Sequence, residues 1–256
     1  MFAVIASAMA LSGCSSEDDC TTVNPQPEEN ATEIKLNAGI LGVATRAPVS
    51  TNDNITASFV ASTTDGDYTT NAWNSTVTFV ASPTPTSALS FSPARYYPVN
   101  SSTIYIKGYY PAGTLAGKSV TLAADGTEDV MITAQASGTK ATATPLSFIF
   151  NHLITQLQFK FVSGTGYPAS GVNVTSLVIK QQKAPATLNT AAMTYTTKDL
   201  TLSGTFPITT AGATVSNYPM VKSGEALSVV VTTNDGVTYP ETTISITTEA
   251  GKSHLI

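Results

Sequence analysis

The sequence predicts an all-β protein built from β-sandwiches. Short apolar segments recur about every ten residues, with turn residues such as glycine, proline and asparagine between them, and this spacing is typical of sandwich strands. No segment keeps a helical periodicity over three turns. Charged residues make up 11% of the chain and hydrophobic residues 42%. Threonine and valine, which favour pleated and half-buried surfaces, are abundant.

Residues 1–14 resemble the signal peptide of a bacterial lipoprotein. An apolar run that starts at Phe2 is too short for a stable membrane span and ends in the letters LSGC at Cys14. This ending resembles a lipobox, in which small residues precede a cysteine that receives a lipid. The alternative is an ordinary secretory signal with an incidental cysteine. We expect Cys14 to be lipidated and residues 15–32 to form a flexible polar tail.

The negative charge of the chain is concentrated near its start. Six acidic and two basic residues between positions 15 and 46 account for four of the five net negative charges. The run SSEDD at 15–19 resembles the signal that sends lipoproteins to the outer face of the outer membrane. The rest of the chain is nearly neutral, so it has no basic field that would attract nucleic acid.

The first predicted strand lies within residues 33–43, EIKLNAGILGV. Its alternating apolar side chains share one face: Ile34, Leu36, Ala38 and Ile40. Arg46 and Ala47 follow in a short polar linker, and Arg46 is one of only two arginines in the chain. An arginine in such a linker is a candidate protease site, and an ordinary exposed charge is the alternative.

The next strands are predicted at 55–61, 76–81, 89–91, 104–111 and 128–134. Aromatic residues lie in and around them: Trp73, Tyr96, Tyr97, Tyr109 and Tyr110. Rings of this kind usually lie at the rim of a core, where one end is apolar and the other polar. The alternative is that they are exposed and stack on glycans.

The run from Pro145 to Val162 is the densest apolar stretch after the leader. Its apolar residues lie on one parity up to Ile154 and on the other parity from Leu153 onward. Because successive residues of a strand face opposite sides, the switch predicts a bulge, a bend or a passage between two cores. His152 lies at the switch, and we expect it to be a hydrogen-bonded structural residue.

After a glycine-containing linker, further strands are predicted near 172–180, 186–188, 200–207, 225–233 and 242–248. The domain prediction is therefore an N-terminal sandwich over 33–163 and a C-terminal sandwich over 164–256, and the C-terminal sandwich is a candidate for truncation.

Few residues in the chain carry reactive or metal-binding groups. His152 and His254 are the only histidines, and lipidation of Cys14 would leave Cys20 as a single thiol. No nucleophile elbow, P-loop, zinc-protease or paired-cysteine motif is present. Several acids could supply oxygen ligands to Ca²⁺, although Asp-Gly pairs are also ordinary turn residues: Asp65, Asp67, Asp125, Glu128 and Asp129. We expect no enzyme activity, no cofactor and no metal site.

Several segments, taken in order, resemble the fimbrillins, the Mfa-like type V pilins of Bacteroidales. They are LSGC, EIKLNAG followed by Thr45-Arg46, YYPVNSSTIYIKGYYP (96–111), EDVMITA (128–134), SFIFNHLITQLQFKF (147–161) and EAGKSHLI (249–256). The resemblance spans most of the chain. It implies two transthyretin-like β-sandwich domains in tandem, exported as a lipoprotein precursor and anchored by acylated Cys14 in the outer membrane.

The resemblance also implies a mode of assembly. In that family an arginine-specific protease cuts after the first strand, here after Arg46, so that residues 33–46 become removable. A neighbouring pilin subunit then fills the open groove with a strand of its own. The implied function is a structural subunit of an adhesive surface pilus (fimbrium). Because family members usually continue beyond the segment that ends here at Ile256, shaft, tip and anchor roles stay open.

Two structural observations would decide between the pilin hypothesis and its alternative. The alternative to a pilin is a surface lipoprotein that binds glycans, which requires an exposed, coplanar set of the aromatic rings. The pilin hypothesis requires a detachable first strand. It fails if residues 34–40 lie outside any sheet or are locked between two partner strands deep in the middle of one.

Overall fold

The computed structural model describes residues 30–41, 49, 51–69, 71–113, 119–165, 171–189, 192–215 and 217–256. Within these ranges all regular structure is β apart from one 3-10 turn at Lys140–Thr142. The prediction of an all-β chain is therefore confirmed.

The first half contains nine strands within the described ranges. They are β1 (Lys35–Ile40), β2 (Asn54–Ser62), β3 (Trp73–Val80), β4 (Thr86–Ser90), β5 (Ile104–Tyr110), β6 (Ser119–Thr121), β7 (Met131–Thr133), β8 (Ala136–Gly138) and β9 (Leu146–His152). The remaining strands are β10 (Thr155–Gln158), β11 (Lys160–Phe161), β12 (Asn173–Asn189), β13 (Met193–Pro207), β14 (Ala213–Thr214), β15 (Met220–Val221), β16 (Leu227–Thr233), β17 (Thr242–Ile244) and β18 (Ser253–Leu255).

Most strands of the first half form one sheet in the order β3-β2-β5-β7-β9-β1-β4, and β8 pairs with β5. The neighbours run antiparallel except β1 and β9, which are parallel. A bridge between Thr76 of β3 and Ser92, just after β4, joins the two ends of this sheet. There the Ser92 N–H donates to the Thr76 carbonyl over 2.8 Å. The sheet therefore closes around its own apolar side chains.

The core inside this closed sheet is built around Phe59. Its ring meets Phe91, Phe148 and Phe150 edge-on, with centroids 5.3, 5.1 and 5.9 Å apart, an arrangement that aromatic pairs favour. Gly108 leaves the necessary room, because a Cβ at that position would lie 2.8 Å from the Phe150 ring and 2.9 Å from the Phe59 ring. Close packing of this kind leaves little tolerance for added atoms.

The parity switch near His152 is a passage between two cores. Phe148 and Phe150 of β9 lie in the first core, whereas Leu157 and Phe159 lie in a second one. The chain crosses at Leu153. Of the three predicted explanations of the parity switch, the passage between two cores is therefore confirmed.

The sheets do not follow the predicted division between residues 163 and 164. Residues 155–161 form β10 and β11, which pair only with strands of the second half. In addition, β6 pairs with the far end of β12. The reason is physical: a segment belongs with the core that its side chains enter, and Gly164 lies in a loop after β11.

The second half has a sheet in the order β13-β12-β16-β17, with β6 also on β12, and two smaller sheets, β15-β10-β18 and β11-β14. Side chains from these sheets share one apolar cluster, which includes Leu157, Leu177, Leu202 and Val221. Another cluster contains residues of both halves, among them Val60, Tyr109, Ile154 and Met220.

Candidate strand-exchange site

Strand β1 lies one position in from the β4 end of its sheet. On one side it runs parallel to β9, with Leu36–Ile40 paired in register with Leu146–Phe150. On the other side it runs antiparallel to β4, where the register shifts between Leu36 and Ala38. It therefore has a hydrogen-bonded partner on both sides, with regular pairing to β9 and irregular pairing to β4, and only β4 separates it from the bridge that closes the sheet.

The predicted apolar face of β1 points into the core. Ile34, Leu36 and Ala38 are 0% exposed and Ile40 is 1% exposed. Full burial of a large aliphatic side chain contributes about 1.5–3 kcal/mol, so the three larger residues together contribute roughly 5–9 kcal/mol. Without β1, the space between β9 and β4 would be a slot with an apolar floor.

Polar contacts on the outer face hold β4 against β1. Lys35 Nζ donates to Ser90 Oγ over 2.6 Å and pairs with the Glu33 carboxylate at 2.7 Å. This contact with Lys35 is the main reason why the pKa of Glu33 lies below its usual value. In addition, Asn37 Oδ1 accepts a hydrogen bond from the Ala88 N–H over 3.2 Å. These groups are partly exposed, so they fix the register more than they stabilise the fold.

The slot is tight at Gly39. A Cβ at this position would lie 2.9 Å from the Ser82 carbonyl oxygen and 3.1 Å from Pro85 Cα, both backbone atoms. The next residue, Ile40, donates its N–H to the same Ser82 carbonyl over 3.0 Å. A side chain at this point would therefore force the backbone at Ser82 or Pro85 to shift, which favours glycine here.

The residues just before β1 are paired with a segment beyond β4. The Ile34 N–H donates to the Arg95 carbonyl over 2.8 Å, and the Tyr97 N–H donates to the Thr32 carbonyl over 2.9 Å. Glu33 and Tyr96 form the bridge between these two bonds. The contact surface of the first segment thus extends from residue 32 to residue 41.

Comparison with protein families shows to which family this chain belongs. The sequence profile described as fimbrillin-like matches residues 44–256. The chain belongs to the fimbrillin-like family.

The fold of this fimbrillin-like protein is similar to several solved structures. A candidate cell adhesion protein from Bacteroides uniformis is 21% identical, with a TM-score of 0.59 over 90% of this chain and 94% of that one. Another from Bacteroides ovatus is 15% identical, with a TM-score of 0.55 over 88% and 92%. A third, from Bacteroides fragilis, is 11% identical, with a TM-score of 0.53 over 87% and 91%. These likenesses show the fold alone. No curated protein matches the chain in sequence.

Three of the predicted sites of the fimbrillin-like chain, Cys14, Arg46 and Ala47, lie outside the described residues. Lipidation at the first and cleavage between the other two stay predictions. Within the part of the chain that the structure describes, no helix has the length and apolar character that a membrane span requires.

The aromatic residues considered for glycan binding are buried or half-buried. Tyr97 and Tyr109 are buried, at 3% and 2% exposure. Trp73 and Tyr110 are half-buried and pack against the first core, and Tyr96 is also half-buried. These five rings therefore form no exposed coplanar set. This favours the pilin interpretation of the fimbrillin-like chain over the glycan-binding one.

The other polar candidates have local structural partners. His152 Nδ1 lies 3.0 Å from Asp129 Oδ1, which fits the predicted structural role of this histidine. Asp125 Oδ1 accepts hydrogen bonds from the N–H and hydroxyl of Thr127, over 2.9 and 2.6 Å, and Asp65 Oδ1 accepts one from Gln135 over 2.7 Å. Among the described residues, no three His, Cys, Asp or Glu side chains converge as metal ligands would.

Proposed function

We propose that this fimbrillin-like protein is a structural subunit of an adhesive cell-surface pilus, and that it assembles by exchanging β1 for a strand of a neighbouring subunit. One observation carries the proposal: β1 is an extended segment with a fully buried apolar face, held between β9 and β4. Cell adhesion also stands in the descriptions of the solved structures that share the fold.

Because β1 is paired with both β9 and β4, exchange for another strand is favoured over simple loss of β1. If β1 left, both β9 and β4 would present unpaired backbone groups beside an apolar floor, and unpaired edges readily accept another strand. An incoming strand would restore both ladders and the apolar contacts together. For the same reason a cut β1 would stay bound until it is displaced, so exchange would be slow and the joint long-lived.

Processing after Arg46 would make β1 removable. Lipidation at Cys14 would hold the precursor at the outer membrane until then. In this proposal an arginine-specific protease cuts between Arg46 and Ala47, and the partners are other pilin subunits. These steps are supported by the sequence motifs and by the distance along the chain, since β1 ends at Ile40, only a few residues before the arginine.

The test compares Arg46→Ala with the wild-type protein after treatment with an arginine-specific protease. Wild-type protein is expected to lose its first segment and form polymers, whereas Arg46→Ala stays monomeric and uncut. The matched control is the double variant Thr45→Arg/Arg46→Ala, which moves the arginine by one residue and should restore both processing and polymers. Polymers formed by Arg46→Ala would refute protease-triggered exchange.

A further inference from the structure

The second arginine of the chain lies where the first segment covers it. Apart from Arg46, the sequence contains only Arg95. The Arg95 carbonyl accepts the Ile34 N–H, and the neighbouring Tyr97 N–H donates to Thr32. The Arg95–Tyr96 peptide bond is thus enclosed in a short ladder with residues 32–34, which lie within the segment that cleavage after Arg46 would release.

The side chain of Arg95 is also held in place. Its guanidinium carbon lies 5.3 Å from the centroid of the Trp73 ring, and Nη2 donates to the Asn74 carbonyl over 2.6 Å. Burial lowers the pKa of Arg95 from its usual value. Stacking on an aromatic face and the Nη2 hydrogen bond stabilise the guanidinium in that position, although its buried Nε has no hydrogen-bond partner among the described residues.

An arginine-specific protease needs access both to the Arg95 side chain and to the backbone around the Arg95–Tyr96 bond. To cut after an arginine, it must take the side chain into its specificity pocket and bind the flanking backbone in an extended form, as peptide-binding proteins do. Here the backbone is paired with residues 32–34, and the side chain packs on Trp73. Cleavage therefore requires local opening, which costs least when the covering segment is absent.

We propose that Arg95 is a second, conditional cleavage site for an arginine-specific protease, shielded while residues 32–34 or a replacing strand cover it. The inference rests on the proposed function, because it requires β1 to leave. Hydrolysis breaks the bond between the Arg95 carbonyl carbon and the Tyr96 nitrogen. One water supplies the hydroxyl of the new Arg95 carboxyl group and a proton to the new amino group of Tyr96.

Cleavage at this site would remove subunits whose slot is empty. The Arg95–Tyr96 bond lies between β4 and β5, so cutting it separates the β4 wall from the strands that follow. A subunit that has received a strand over the whole length from position 32 to position 41 stays intact. One protease would thus both start exchange and destroy the subunits in which exchange is incomplete.

The experiment uses the full chain and an arginine-specific endoprotease, with intact-mass measurement over time. We expect an early cut at Arg46 and none at Arg95 while the freed segment stays bound. After the segment is stripped off in mild urea, Arg95 should be cut, and an excess of synthetic peptide with residues 31–41 should prevent this. Arg95→Lys removes the second cut and identifies it. The inference is overturned if protein without its first segment resists cleavage at Arg95. It is also overturned if untreated protein is cut at Arg95 equally fast.

A second variant separates this inference from the proposed function. Ile34→Pro removes the N–H that donates to Arg95 and leaves Arg46 in place, and it should speed cleavage at Arg95 about fivefold. Ile34→Val keeps the N–H and is the matched control. If Arg46 is never cut, the proposed function fails, and the Ile34→Pro arm alone decides whether residues 32–34 shield Arg95. Equal cleavage of the Pro and Val variants at Arg95 contradicts shielding.

Discussion

His152 Nδ1 lies 3.0 and 2.9 Å from the two carboxylate oxygens of Asp129, and the two side chains are only 4% and 2% exposed. His152 is the last residue of β9, and Asp129 stands just before β7. Next to them, the Leu153 N–H donates to the Val130 carbonyl over 2.8 Å. The pair therefore fixes the chain where it leaves the first core for the second.

Breaking this pair from one side is expected to be costly. Asp129→Leu leaves the His152 ring buried without its partner and should lower the free energy of unfolding by about 3 kcal/mol. The double variant Asp129→Leu/His152→Leu removes both polar groups and should lose clearly less than the sum of the single variants. Urea denaturation of the wild-type protein, of Asp129→Leu, of His152→Leu and of the double variant measures this coupling. Additive losses would show that the two residues do not act as a pair.

The sequence was most informative where one face of a strand is buried. Alternation predicted the buried residues of β1, and the parity switch located the passage at Leu153. The pairing of β1 with β9 and β4 could not be predicted, because strand neighbours are chosen by contacts distant in sequence. The same holds for the tight contact of Gly39 with Ser82 and Pro85, since the sequence does not show which backbone approaches a glycine.

The long hairpin of β12 and β13 was predicted only in pieces. The sequence predicted separate strands near 172–180 and 186–188, whereas β12 continues from one to the other through Pro185, which cannot donate to a ladder and has register irregularities on either side. The threonine-rich start of β13, residues 194–197, has no apolar alternation to indicate a strand. There the pairing with β12 overrides the local pattern.

Gly39 gives a test of the slot's dimensions. Gly39→Val would place a Cβ against the Ser82 carbonyl and Pro85, and such overpacking should lower the free energy of unfolding by about 2 kcal/mol. Gly164→Ala is the matched control, because nothing lies within 4 Å of a Cβ at that position. Thermal and urea denaturation should show a loss for the first variant only. Equal stability of both variants would mean that the slot is wider than the structure indicates.

A reversible cross-link tests whether β1 has to leave. Asn37 and Ser147 are paired in register on β1 and β9, so the variant Asn37→Cys/Ser147→Cys should form a disulfide between directly paired strands. Oxidised protein should still be cut after Arg46 but remain monomeric, because the strand is tethered. Adding a reductant should release polymer formation. Asn37→Cys alone is the control, and polymers from the oxidised double variant would contradict exchange of β1.

The pH dependence of stability includes a contribution from Glu225 in the second half. Its carboxylate lies 2.7 Å from Lys222 Nζ and 2.9 Å from Lys183 Nζ. Hydrogen bonds from Lys222 and then Lys183 lower the pKa of Glu225 below its usual 4.5. A carboxyl group whose pKa is lowered by folding stabilises the protein above the unfolded value, and this contribution is lost as the pH falls through the folded value.

Glu225→Gln should therefore reduce stability at pH 7 and have little effect at pH 3. Because the pairs are partly exposed and screened by solvent, the loss at pH 7 should be at most about 1 kcal/mol. Urea midpoints of the two proteins at both pH values measure the difference, and added salt should shrink it at pH 7. The control is Glu241→Gln, because the exposed Glu241 carboxylate accepts a hydrogen bond from Ser228 and forms no salt bridge with a lysine of the described residues. If Glu225→Gln lost more stability at pH 3 than at pH 7, the result would show that the Glu225 carboxylate destabilises the fold.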